Sequence, residues 1–190
     1  MSLIAGVITV DWLCISYDGR AIRDGKIVSE DIQKVIRLNK YTCVGATGTL
    51  EFALTIFEIL KNVDGFSQMR CDKVAMEICR ILKQPNVTFK SGTFLTAGLN
   101  SSGKMAAYTI GTDLVASPQI PKISGELKCL HLGSEMSPIK IDAFIADGLL
   151  KRKTIPAIIA DYIRTVAAVD YYVNTNVKTI ILTRQDLLRI

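Results

Sequence analysis

Apolar residues in this chain change their period in blocks, and the order of those blocks constrains the fold more than any single motif. "LIAGVITV" and "WLCISYD" are two strand-like runs parted at Asp11, the pattern of a hairpin. "KIVSEDIQKVIRL" and "YTCVGATG" read as two more strands. Then the period lengthens. Between Thr49 and Lys61 the apolar residues Leu50, Ala53, Leu54, Phe57 and Leu60 share one helix face. A second helix is predicted over 68–83, carrying Met69, Val74, Ile78, Ile81 and Leu82. "GTFLTAGLN" and "KMAAYTIG" form a hairpin around "SSG", a loop with Pro118 and Pro121 follows, and "LKCLHLG" is a strand. Ser137 and Pro138 read as N-cap and first residue of a third helix with Ile141, Phe144, Ile145 and Leu149. Thr154 opens a fourth, with Ile158, Ile159, Tyr162, Ile163 and Val166, and "YYVNTN" and "KTIILTR" close the chain as strands.

Strands therefore come in groups and helices in pairs, unlike the one-to-one alternation of a doubly wound sheet. Two antiparallel sheets packed together, with a helix pair outside each, satisfy this order. The expected class is α+β, a four-layer αββα sandwich, with 1–190 as a single domain. The chain is 49% hydrophobic, so much of its surface is expected to be buried, in the core or between subunits.

Composition removes several function classes. The longest late apolar stretch, "IPAIIADYIRTVAAV", is interrupted by Asp161 and Arg164, so no membrane partner is expected. The start lacks the basic segment and small-residue cleavage site of a signal peptide, which points to the cytoplasm. The net charge of +5 comes from scattered residues, and "KRK" at 151–153 has no interleaved aromatics, so nucleic acid is not an expected partner. The five cysteines form no CxxC pair and read as buried reduced thiols. With one histidine, His131, on a strand, neither a structural zinc site nor a Ser–His–Asp triad is expected. No cofactor or metal is called for.

A few residues carry chemistry. "GATGTLEF" lacks the Lys-Ser/Thr of a phosphate loop, but a helix starting near Thr49 would aim free amides at a group near Gly48. Those amides could hold an oxyanion, or the glycine could simply mark a strand-to-helix turn. Asp18 ends the second strand before Gly19, where a turn role is the simpler reading. Lys34 lies in a segment that otherwise alternates toward a core, where a lysine is usually a surface residue; if it points inward it needs a carboxylate partner. Removal of Met1 would leave Ser2 with a hydroxyl and a free amine on adjacent carbons, a nucleophile with its own base.

On these residues the sequence resembles proteasome β-type subunits and the bacterial peptidase HslV. "SLIAGVITVDWLCISYDGRA", "IQKVIRL" and "VGATGTLEFALTIFEIL" carry the likeness, which extends more faintly along nearly the whole chain. The resemblance implies an N-terminal-nucleophile (Ntn) hydrolase. Ser2 falls on the family's threonine nucleophile, Asp18 and Lys34 on its catalytic Asp and Lys, and Gly48 on its oxyanion glycine. "LGSEMSP" puts Ser134 on the Gly-Ser-Gly loop, and "VDYYVNTN" puts Asp170 on an Asp-containing strand near the active site. Ala21, Ile32, Gly45 and Thr49 would line a pocket for hydrophobic side chains. The implied partners are peptide or unfolded protein substrates, identical subunits in a ring, and an ATPase unfoldase.

Three departures stand out. Ser replaces Thr at the nucleophile, Glu135 replaces the second glycine of the loop, and Met1 precedes Ser2. With Met1 retained, the Ser2 amine is held in a peptide bond and is no base. Two other readings follow: a non-catalytic assembly subunit, or an Ntn amidase acting on small molecules.

Overall fold

The computed structural model describes residues 3–23, 25–85, 87, 92–137 and 139–188, and of Leu50 the backbone only. It is a mixed α/β chain whose described part has eleven strands and five α-helices. Its contacts cluster into two compact units. The first comprises Met1–Val7, Cys14–Lys34 and Cys129–Ile181, and the second Ile8–Leu13, Val35–Lys128 and Leu182–Ile190.

The first unit carries most of a four-stranded sheet, β10-β1-β2-β11, made of Lys128–Gly133, Leu3–Ile8, Trp12–Asp18 and Val177–Thr183. β1 is buried along its whole length and β2 nearly so, as expected of continuous apolar runs covered on both faces. A short hairpin, β3 (Ala21–Arg23) with β4 (Lys26–Ser29), leads out of β2. Helices α3 (Ile141–Leu150) and α4 (Ile155–Ala167) pack on one another. They approach closely at Gly148, where an added Cβ would lie 2.6 Å from Ile158 Cγ1.

The second unit carries the five-stranded sheet β5-β6-β7-β8-β9: Val35–Arg37, Thr42–Gly48, Gly92–Leu99, Met105–Ile110 and Ala116–Gln119, antiparallel throughout. Helices α1 (Leu50–Lys61) and α2 (Cys71–Leu82) bury their apolar stripes against it. On α2 that stripe is Cys71, Val74, Ala75, Ile78, Ile81 and Leu82. Each large aliphatic side chain so buried contributes about 1.5–3 kcal/mol. Phe94 on β7 receives the ring edges of Phe52 and Phe57, with centroids 6.3 and 6.2 Å away. The short α5 (Arg184–Leu188) ends the described chain.

Several sequence expectations are corrected. "KIVSEDIQKVIRL" is not one strand: β4 and β5 are separated by an extended link, and Lys34 is its last residue, just before β5. Pro118 lies inside β9, the edge strand of its sheet, the place where a sheet tolerates proline. The third helix starts at Ile141; Pro138 lies outside the described residues, and the Ser137 hydroxyl is engaged with the backbone of Ile139 instead of capping. Within α1 and α3, Leu54 and Leu149 face outward, while Ile56 and Gly148 are buried. "YYVNTN" is a turn and not a strand: Asp170 N–H still bonds Val166 O, continuing the end of α4, and Val173 N–H bonds Asp170 O. Among the described residues no helix is long and apolar enough to cross a membrane.

Candidate active site

β2 runs into the first unit and ends on Asp18, which is fully buried. Its Oδ1 accepts the Leu3 N–H at 2.8 Å and Lys34 Nζ at 2.7 Å, and its Oδ2 accepts the Arg20 N–H at 3.0 Å. Lys34 is 6% exposed, so its inward orientation and carboxylate partner match the condition that the sequence imposed. Burial lowers the Lys34 pKa below its usual 10.5, with the nearby Asp18 charge and hydrogen bond opposing that fall.

The turn after Asp18 is glycine by necessity. A Cβ on Gly19 would sit 2.5 Å from Glu30 O, so only glycine lets the 18–20 turn lie against the link that carries Lys34. The Gly19 carbonyl accepts the Ile32 N–H at 2.8 Å and joins the two segments.

A second polar pair lies in the same unit. Ser134, following β10, donates its hydroxyl to Asp170 Oδ2, and both residues are buried. Asp170 Oδ1 accepts the Tyr172 N–H at 2.8 Å, and the Ser134 oxygen accepts the Met136 N–H at 3.3 Å. Glu135 is exposed.

The structure thus joins Asp18 with Lys34 and Ser134 with Asp170, all within the first unit. Ser2 lies outside the described residues. Ala21 and Ile32, half-buried, belong to the first unit; Gly45, Gly48 and Thr49 belong to the second. Gly45 is buried mid-strand between Val35 and Leu95. Gly48 ends β6 at φ +94°, a left-handed conformation that favours glycine, and is exposed. Thr49 is the N-cap of α1 without a side-chain cap bond, so the first-turn amides of that helix are not capped by its hydroxyl.

Three residues that sequence reasoning passed over surround the first pair: Arg20, Glu30 and Asn174. Arg20 pairs with Glu30 and donates to the Tyr171 carbonyl, and Asn174 bonds both Gly19 and Glu30. The density of amides in "NTN" was the one available signal. The cysteines are free thiols; Cys14 and Cys43 are buried and pushed up to about 11 and about 12 by burial, whereas Cys79 and Cys129 are only partly buried. Burial also lowers the His131 pKa. No group of three or more His, Cys, Asp or Glu side chains among the described residues could hold a metal ion.

The described chain is thus mixed α/β, with a four-stranded sheet, an antiparallel five-stranded sheet and a buried Asp18–Lys34 pair at the end of its second strand. The structure is similar to the crystal structure of eukaryotic HslV from Trypanosoma brucei, with a TM-score of 0.71 over 95% of this chain and 99% of that one, at 16% sequence identity. No family model matches the sequence. No curated protein matches it either.

Proposed function

We propose that this chain is an Ntn hydrolase of the proteasome/HslV type, cleaving peptide bonds through Ser2 after removal of Met1. One observation carries the reading. The buried Asp18 carboxylate holds Lys34 and, on the same oxygen, accepts the amide of Leu3, the residue that follows Ser2 in the chain. A buried lysine is costly unless it is paired, as Lys34 is with Asp18, and an ammonium beside a terminal hydroxyl favours its ionised form.

In this mechanism Ser2 Oγ attacks the peptide carbonyl and the Ser2 amine takes the hydroxyl proton. An ammonium has three donors, enough for Asp18 and an alkoxide together, so Lys34 lowers the energy of the attacking oxygen. A backbone N–H receives the developing oxyanion, the role that the resemblance gives to Gly48. The amine returns its proton to the leaving amino group, and water then releases the acyl-enzyme. Ser134 and Asp170 complete the polar surroundings, and Ala21 and Ile32 of the first unit take the substrate-lining role that the resemblance gives them. The reading extends, on the resemblance of the sequence, to one four-layer αββα domain over 1–190, to a homo-oligomeric ring, to an ATPase that feeds it unfolded chains, and to the cytoplasm; the likeness in structure supports the fold.

The test is the intact mass of the protein after exposure to an electrophile selective for N-terminal nucleophiles. Loss of methionine with one adduct, absent in Lys34→Ala, is the expected outcome. Retained methionine without an adduct refutes the mechanism and leaves the non-catalytic assembly subunit. An adduct on a protein that turns over small amides but not peptides selects the amidase.

A further inference from the structure

The Asp18–Lys34 pair joins two chain segments that the β3–β4 hairpin and the Ile32 N–H bond to the Gly19 carbonyl already bring together. Asp18 ends a strand, whereas Lys34 ends a link with no regular structure. A buried side chain can further fix the 18–20 turn against the start of that link at Glu30. Asn174, 6% exposed and far away in sequence, is placed to do so.

Its Oδ1 accepts the Gly19 N–H at 2.9 Å, and its Nδ2 donates to Glu30 O at 3.0 Å and to Glu30 Oε2. The orientation of the amide follows from chemistry, because a backbone N–H can only donate and a carbonyl can only accept. One side chain therefore meets the residue next to Asp18 and the residue that begins the link to Lys34. Neither a carboxylate nor a hydroxyl of that length offers an acceptor and two donors at once. Arg20 reinforces the far side, with Nε 3.2 Å from both Glu30 carboxylate oxygens. Asn176 also donates to Glu30 O, at 2.9 Å, but is exposed and makes its other bond to Asp31.

We propose that Asn174 is a positioning residue that holds the Asp18 turn against the Lys34 link and so sets the geometry of the Asp18–Lys34 pair. This rests on the hydrolase reading for its catalytic consequence, but not for its geometric one. The groups that bear on Lys34 are Asp18, Arg20 and Glu30, and Asn174 touches the backbone or side chain beside each.

The experiment compares Asn174→Ala, Asn174→Asp and the matched control Asn176→Ala in two readouts. One is the titration of the Lys34 ammonium, followed by NMR with Lys34→Met for assignment. The other is peptide turnover. Both Asn174 variants should displace the titration by about half a pH unit or more, against no change in Asn176→Ala. They should also lower kcat by about tenfold or more with KM within about twofold, the signature of misplaced catalytic groups. If Asn174→Ala does not fold, Asn174→Asp, nearly isosteric and still able to accept from Gly19, decides alone. An unchanged titration in a folded Asn174 variant overturns the inference, whatever the turnover. A displaced titration in a protein that has no turnover even in its parent form supports the positioning role and refutes the hydrolase reading instead.

Discussion

Lys34 Nζ lies 2.7 Å from Asp18 Oδ1, and the two side chains are 4% and 0% exposed. Such a pair is poor evidence for stability in itself, because the attraction has to offset the desolvation of two charges. In the proposed mechanism its value is a charged amine held on the same oxygen that accepts the Leu3 N–H. The consequence for stability is asymmetric: removing one partner leaves the other buried and uncompensated.

Asp18→Asn is therefore expected to destabilise the fold by roughly 3–5 kcal/mol at neutral pH. The amide can still accept from Leu3, but it turns an N–H group toward the Arg20 N–H and supplies no charge for Lys34. Denaturant midpoints for the parent, Asp18→Asn and Asp18→Asn combined with Lys34→Met check this. The double variant should recover part of the loss; if it is no more stable than the single one, the buried lysine charge is not the cause.

The pH dependence follows from the depressed Lys34 pKa. Charged Lys34 is the active form in the proposed mechanism, so turnover should fall as pH rises through a value below 10.5. The effect on stability has the opposite sign. Between the lowered folded value and 10.5 the unfolded chain keeps this proton while the folded chain has released it, so this group's contribution to stability rises with pH across that window. Rate profiles and unfolding free energies of the parent and Lys34→Met, measured across the alkaline range, isolate both effects. An alkaline limb that Lys34→Arg fails to move upward would remove Lys34 from the rate law.

Gly19→Ala is expected to cost about 1–3 kcal/mol and to depress turnover, because its Cβ would press on Glu30 O at 2.5 Å and push the 18–20 turn away from the Lys34 link. Thermal unfolding and steady-state kinetics are the checks. A variant that is destabilised yet keeps its kcat would show that the close approach serves folding alone.

Local rules made much of this chain legible. In α4 every residue assigned to the buried face, Ile158, Ile159, Tyr162, Ile163 and Val166, is buried, because a 3.6-residue period on a strongly apolar segment leaves no competing arrangement. The end of β2 at Asp18 was also readable, since an Asp-Gly step stops a strand, whereas the inward turn of Lys34 was only a condition that the structure meets, a lysine in that register being usually at the surface. Pro118 and "YYVNTN" went the other way. A proline is admitted to an edge strand and a β-prone tyrosine pair is held in a turn by what lies beside them, which periodicity does not record.

The sequence by itself determined the alternating blocks of strand and helix, the core faces of the helices and the residue types able to do chemistry, because those depend on neighbours within a few positions. Only the tertiary structure decided which polar groups meet. Ser134 reaches Asp170 across 36 residues, and Asn174 reaches Gly19 across 155. Hydrogen bonds at that separation are set by how the strands and turns come together in space, and no local propensity encodes them.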